Sequence, residues 1–258
     1  MGSVPYTMAF ATYTFPNATF KLADHRLDID TPSADVRRRD GGVILDGYLK
    51  QKRWRINGKL YGTDEGSVHS ALNIMSQALH NRGVGASFFY MADRYAFASL
   101  APGGVIATPS EGLNGYLYDM DIVLISDPFV ESITRLSDGG SRANSSSIEQ
   151  VTTGGNYPAC PVFTFVAGTW AFSSPVRVEN LANSYFFQYS GPILAGQTLV
   201  IDLCGGCVLL HVGATMVDAI SYFGGNLDFI LEAGGTNDLI INAPTLDYTI
   251  DYRNRWYV

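Results

Sequence analysis

Thr245-Leu246-Asp247-Tyr248-Thr249-Ile250-Asp251-Tyr252-Arg253-Asn254-Arg255-Trp256-Tyr257-Val258 is the stretch whose reading decides the fold. Leu246, Tyr248, Ile250, Tyr252, Trp256 and Val258 share one parity, broken only by Asn254, while Asp247, Thr249, Asp251, Arg253 and Arg255 share the other. A period of two is a strand with one buried face. Side chains of this size contribute about 1.5 to 3 kcal/mol each on full burial, so the apolar row requires a facing layer of comparable extent.

That layer is sought upstream. Short apolar runs at 162–166, 176–180, 185–189, 198–203, 208–212, 227–231 and 238–241 recur with Gly, Asn and Pro between them. Together with the terminal strand they predict an antiparallel β-sandwich or jelly roll. The N-terminal half reads differently. Residues 1–32 carry little period apart from a strand near 18–22, and 43–49 and 53–61 read as strands bounded by Gly47, Gly58 and Gly62. Thr63-Asp64-Glu65 then opens a helix, with an oxygen-bearing cap and acids in the first turn. Val68, Ala71, Leu72, Met75, Ala78 and Leu79 keep helical spacing up to Gly83, so one stripe packs on a sheet. Strands follow at 86–91, 94–100, 115–126 and 129–136.

The predicted fold class is therefore mainly β with one helix: an α+β domain over 1–136 and a β-sandwich over 157–258. Between them, SDGGSRANSSS at 137–147 and the turn-forming residues up to 156 hold few groups that drive burial, so 137–156 is expected to be a linker. The chain's 258 residues, 47% hydrophobic and 16% charged, suit two such domains and exclude a disordered chain. The net charge of -7 is uneven. Residues 1–100 hold 12 Lys or Arg against 9 Asp or Glu, and residues 101–258 hold 5 against 15. No apolar run approaches the length of about 18 that spans a bilayer, and MGSVPYTMAF lacks a basic leader, so a soluble, unexported chain without membrane insertion is expected. Three cysteines make no disulfide framework, and free thiols in a reducing compartment are expected.

Several clusters hold residue types that could carry chemistry. Cys204-Gly205-Gly206-Cys207 with His211 and the distant Cys160 holds the donor types of a zinc or iron–sulfur site. Gly-Gly between two strand-like runs is also a hairpin turn, and that reading takes precedence, so no metal is assigned. Asp119 with Asp121, and Asp247 with Asp251, offer the paired carboxylates of a glycoside hydrolase, but solvated strand faces produce such pairs routinely. Tyr185, Phe187 and Tyr189 align on one parity, as a sugar-stacking platform or, preferably, as core. Arg37-Arg38-Arg39 with Lys50, Lys52, Arg53 and Arg55 around Trp54 has the charge for nucleic acid, although a polar sheet face fits the alternation better. His69 and His80 lie off the helix's apolar stripe and read as surface residues. There is no nucleophile elbow, Walker loop or dinucleotide fingerprint, and neither an enzyme nor a cofactor is expected.

Four stretches are similar to one known family: Gly41-Gly42 with the strands through Gly62 and the helix after it, Gly191-Pro192-Ile193-Leu194-Ala195-Gly196-Gln197-Thr198-Leu199-Val200-Ile201-Asp202, Leu231-Glu232-Ala233-Gly234-Gly235-Thr236-Asn237, and Tyr248-Thr249-Ile250-Asp251-Tyr252-Arg253. Over residues 35–258 the chain resembles the distal tail proteins of long-tailed, siphovirus-type bacteriophages. The family's turn has proline-glycine-x-asparagine where this chain has the longer Ala233–Asn237, and the sugar-holding set of galectins has no match here. The resemblance implies a ring-forming N-terminal belt domain and a galectin-like C-terminal sandwich. It further implies a structural virion protein, made in the host cytoplasm, that forms a homohexameric ring between tail tube protein and the tail tip or baseplate hub protein. DNA would pass through the lumen without specific binding. A carbohydrate-binding β-sandwich module, or a glycoside hydrolase, is the alternative.

Overall fold

The computed structural model describes residues 7–16, 19–30, 33–35, 42–44, 48–80, 85–110, 116–142, 147–168, 175–243 and 246–257, with side chains of 24–51 among those outside the description. The chain divides into two compact units, Met1–Glu131 with Tyr257–Val258, and Ser132–Trp256.

Among its described residues the first unit is a large antiparallel sheet carrying one helix, with a small two-stranded ladder besides. Its strands are β1 (Ala9–Phe10), β2 (Tyr13–Thr14), β3 (Phe20–Asp30), β6 (Tyr48–Tyr61), β7 (Ala86–Phe89), β8 (Arg94–Pro109), β9 (Leu117–Ser126) and β10 (Phe129–Ser132), with β4 (Ser33–Asp35) and β5 (Gly42–Ile44) forming a separate small ladder. The sheet order is β2-β1-β7-β8-β9-β6-β3. Alternation along β6 turns Trp54, Ile56 and Leu60 inward and Arg53, Arg55, Asn57 and Lys59 outward. Helix α1 (Glu65–His80) packs on β6, β2 and β8, burying Val68, Met75 and Leu79. Its start is held as the sequence predicts: Asp64 Oδ1 accepts the Ser67 amide at 2.7 Å, and Ser67 Oγ accepts the Asp64 amide at 3.1 Å. The edge strand β3 is keyed to β6 by Phe20, whose ring covers Gly58 so closely that a Cβ there would sit 2.2 Å from it. Aromatic cover of a strand glycine fixes register.

The second unit is a two-sheet sandwich of β11 (Leu136–Arg142), β12 (Ser147–Thr152), β13 (Val162–Ala167), β14 (Val176–Asn180), β15 (Tyr185–Tyr189), β16 (Thr198–Asp202), β17 (Cys207–Val212), β18 (Thr215–Asp218), β19 (Phe223–Gly225), β20 (Thr236–Asn242) and β21 (Leu246–Tyr252). One sheet runs β11-β21-β13-β16-β17-β18 and the other β12-β20-β14-β15-β19. Phe163, Phe187 and Phe229 meet between them with ring centroids 5.0 to 5.7 Å apart, edge to face. Leu246, Tyr248, Ile250 and Tyr252 of β21 all face this core.

The expected linker is corrected here. Within 137–156, β11 pairs β21 along seven residues and β12 pairs β20 along six, so the segment is two edge strands of the sandwich. Polar residues suffice because edge strands bury little: only Leu136 and Val151 reach the core. The run 227–231, expected as a strand, is irregular apart from a bridge between Ala159 and Leu231, and its periodicity reflects the burial of Phe229 and Leu231.

Candidate assembly surface

The outward face of the first unit's sheet carries a row of matched charges. Register sets Lys59 opposite Asp119 and Asn57 opposite Asp121, with Arg55 one step along. Arg55 donates to Asp121 through Nε to Oδ1 at 2.9 Å and Nη2 to Oδ2 at 2.6 Å, and Lys59 Nζ lies 3.6 Å from Asp119. These residues, with Lys21, Leu22, Ile106 and Thr108, line an open groove of about 760 Å³ between β3 and β8. Register shifts in β3 between Leu22 and Asp24, and in β8 between Leu100 and Val105, flank it. Bulges bend a sheet and increase its twist, which accounts for a trough on a face that would otherwise be flat. Among the described residues no strand pairs the outer edge of β3, where the sheet ends.

The carboxylate pairs that could have served hydrolysis are thus tied into their sheets. Asp119 and Asp121 hold cations, Asp251 accepts from Arg135 at 3.1 Å, and Asp247 accepts from Ser141. The basic cluster does not act as one patch. Arg37, Arg38 and Arg39 lie outside the described residues, Arg53 and Arg55 face outward, and Lys52 is fully buried with Nζ 4.2 Å from the Trp54 ring centroid. Burial lowers the Lys52 ammonium to about 8. Trp54 Nε1 in turn donates to Ser126 Oγ at 2.9 Å. His69 is exposed beside Glu65, and the His80 side chain lies outside the description.

In the second unit Phe187 and Tyr189 are buried and Tyr185 packs against the core, so the row offers no platform. The four metal candidates do not converge. Cys160 and Cys204 are joined as a disulfide, which corrects the expectation of free thiols. The cause is register: β13 pairs β16 with Val162 opposite Asp202, and continuing the ladder by two residues on each strand sets Cys160 against Cys204, Cα atoms 5.5 Å apart. Cys207 is a free thiol opposite Asp202, its pKa pushed up by burial and then by the Asp202 and Asp218 carboxylates, so the thiolate is disfavoured. His211 stands between Thr198 and Met216, four residues along β17. No group of three or more metal-ligating side chains occurs among the described residues.

No protein-family model and no curated protein matches the chain. Solved structures do. The fold is similar to that of the Dit protein (gp 19.1) of phage SPP1, described as a paradigm of the hub of the adsorption apparatus in phages infecting Gram-positive bacteria. The match has a TM-score of 0.71 at 14% identity, over 96% of this chain and 98% of that one. Chains of the phage P2 baseplate in its activated conformation, with calcium or strontium, match at TM-scores of 0.48 and 0.47 and 11% identity, over 91% of both chains. The chain thus has the fold of a phage distal tail protein, in both its units.

Proposed function

We propose that this chain is a structural, non-catalytic virion protein that forms a six-fold ring at the distal end of a siphovirus-type tail, joins the tail tube protein to the tip or baseplate hub protein, and lines the DNA channel. The observation that carries the reading is the nearly full-length match of both units to one phage hub protein. The matched charges of the β6–β9 face support it physically. A conduit must not grip its cargo, and each unmatched cation on a lumen surface adds counterion-release affinity for phosphate. Here Arg55 and Lys59 already hold carboxylates.

Ring closure also answers the open edge. A sheet ending in an unpaired strand templates further pairing, and a heterologous contact that closes by rotation removes every such edge without an open filament. The first unit, through its β3 edge, is assigned to that contact, and the sandwich to the ring's periphery. Multi-angle light scattering and negative-stain imaging of the full chain test this. The expected species is a ring near six times 28.0 kDa, and a monomer at tens of micromolar overturns the reading.

A further inference from the structure

The two ends of the sandwich are finished differently. At the β11/β12 end the sheets are strapped together: Tyr248 of one sheet donates to Glu149 Oε2 of the other at 2.5 Å, and the Tyr252 hydroxyl lies within hydrogen-bond distance of Asp138 Oδ2 at 3.0 Å and Thr152 O at 2.9 Å. The exposed described positions of those two strands are Ser137, Gly139, Gly140, Ser141, Gln150 and Thr152, with Ile148 the apolar exception. At the opposite end β18 closes its sheet with all four residues exposed, and no described strand pairs its outer edge. Met216 is 63% exposed, Val217 46% and Tyr222 50%, with Ile220 and Val212 beside them in the chain. Soluble proteins normally blunt such an edge with lysine, proline or a cover, and β18 has none of these among the described residues. Its one charge is negative.

We infer that the β18 edge takes up, by antiparallel strand addition, an extended segment of a different protein that carries a basic residue followed by two apolar ones. The chemistry follows from the register. Asp218 and Met216 share the face of Leu209 and His211, and Val217 points to the other, beside Leu210. A strand added antiparallel to β18 therefore sets one residue against Asp218, the next against Val217 and the third against Met216. Asp202 adds to the negative field, since it and Asp218 both act on the Cys207 thiol. Among the described residues neither carboxylate is ion-paired with a lysine or arginine. Ser132–Trp256 holds ten Asp or Glu against five Lys or Arg, and the described arginine side chains have other partners: Arg135 on Asp251, Arg177 on Glu179, Arg253 on the Ser132 carbonyl and Arg255 on Cys204 Sγ. Two copies pairing through β18 would bring a second Asp202 and Asp218 to the same face without a counter-charge, which favours a foreign, basic strand over a second copy. Backbone hydrogen bonds would supply the affinity and the alternating side chains the selectivity.

Fluorescence anisotropy with the full chain tests this, using a labelled peptide that carries lysine-valine-valine-threonine twice and a control with glutamate for lysine. The lysine peptide is expected to bind at least tenfold more tightly than the control, and its binding to protect the amides of 215–218 from hydrogen exchange. Asp218→Lys should reverse the preference, and Val217→Asp should abolish binding of both peptides while the circular dichroism stays native. Equal binding of the two peptides, or protection elsewhere only, overturns the inference. So does an assembly that falls apart on Met216→Lys in light scattering, since the edge would then be a contact between copies.

Discussion

Arg55 and Asp121 meet through two parallel hydrogen bonds, 2.9 and 2.6 Å long, across the β6–β9 ladder. Fork-to-carboxylate geometry of this kind fixes orientation as well as charge. The pair is half exposed, so its worth to stability is small, about 0.2 to 1 kcal/mol. Its larger effect is on the field of the face, where Asp119 and Asp121 offset Lys59 and Arg55 and leave Lys21 as the surplus.

Removing those two carboxylates should make the face adhesive to DNA. Asp119→Asn with Asp121→Asn takes the matching carboxylates from Arg55 and Lys59 beside the already unmatched Lys21, three cations in all, so non-specific duplex binding is expected to appear at low salt and to weaken with a log–log slope near about -3. Filter binding across a salt series measures it. If the double variant binds no better than the wild type, the matched pairs are irrelevant to passage of DNA.

Two buried groups shape the pH dependence of the first unit in opposite directions. Lys52 titrates at about 8 when folded, against about 10.4 in the unfolded chain. Between those values the unfolded chain holds the extra proton, and stability rises with pH. Burial pushes the Tyr90 hydroxyl up to about 12 against about 10 unfolded, so there the folded chain holds the extra proton and stability falls. Urea unfolding followed by tryptophan fluorescence should show a maximum near about pH 10, each limb spanning at most about 3 kcal/mol. Lys52→Met should flatten the rising limb and Tyr90→Phe the falling one. A profile unchanged by Lys52→Met would mean that this ammonium is solvated.

The cross-link between Cys160 and Cys204 closes a separation of 44 residues. Chain-entropy arguments give a loop of that size about 3 to 4 kcal/mol of stabilisation. Cys160→Ser, or reduction of the wild type, should lower the sandwich's stability by that order, and Cys207→Ser should leave it nearly unchanged. Denaturant titrations with and without reductant decide between this and free thiols, for which reduction would change nothing.

Periodicity carried most of the elements and little of their pairing. The parity of β21 and the stripe and cap of α1 were legible because each is decided within a few residues by burial and by local hydrogen bonds. The strands β11, β12 and β18 were not, since an edge strand needs few apolar residues and Gly, Ser and Asp read as loop. Phe229 and Leu231 misled in the opposite sense, being buried without ladder partners on both sides. Register was the largest loss. Val162 opposite Asp202 and Asn57 opposite Asp121 join segments tens of residues apart, and only those pairings reveal the disulfide and the ion pairs.

The turn that departs from the family's pattern, Ala233 to Asn237, is closed by a buried amide. Asn237 is fully buried. Its Oδ1 accepts the Glu232 amide at 2.7 Å and Asn180 Nδ2 at 3.0 Å, and its Nδ2 donates to the Glu232 carbonyl at 3.2 Å. Gly234, at φ +65°, supplies the left-handed residue that lets the chain return to it. Asn180, also buried, passes the network on to the Ile230 carbonyl at 2.9 Å and the Ala182 amide at 3.0 Å. Asn237→Ala strands a backbone amide and a side-chain amide in the interior, and at about 1 to 3 kcal/mol for each orphaned group the loss should be about 3 kcal/mol or more. Asn237→Asp separates shape from charge. Its carboxylate can still accept from Glu232 and Asn180, but it sets a second oxygen against the Glu232 carbonyl, and burial disfavours its ionised form. Its folded ionisation should therefore lie above that of an unfolded aspartate, so the variant loses stability as pH rises from the unfolded value to the folded one. Denaturation at pH 4 and pH 7 should find Asn237→Asp markedly weaker at pH 7, with Asn237→Ala shifted by the same amount at both. Equal losses for the aspartate variant at the two pH values would mean that water reaches this amide and that the turn is held by its glycines alone.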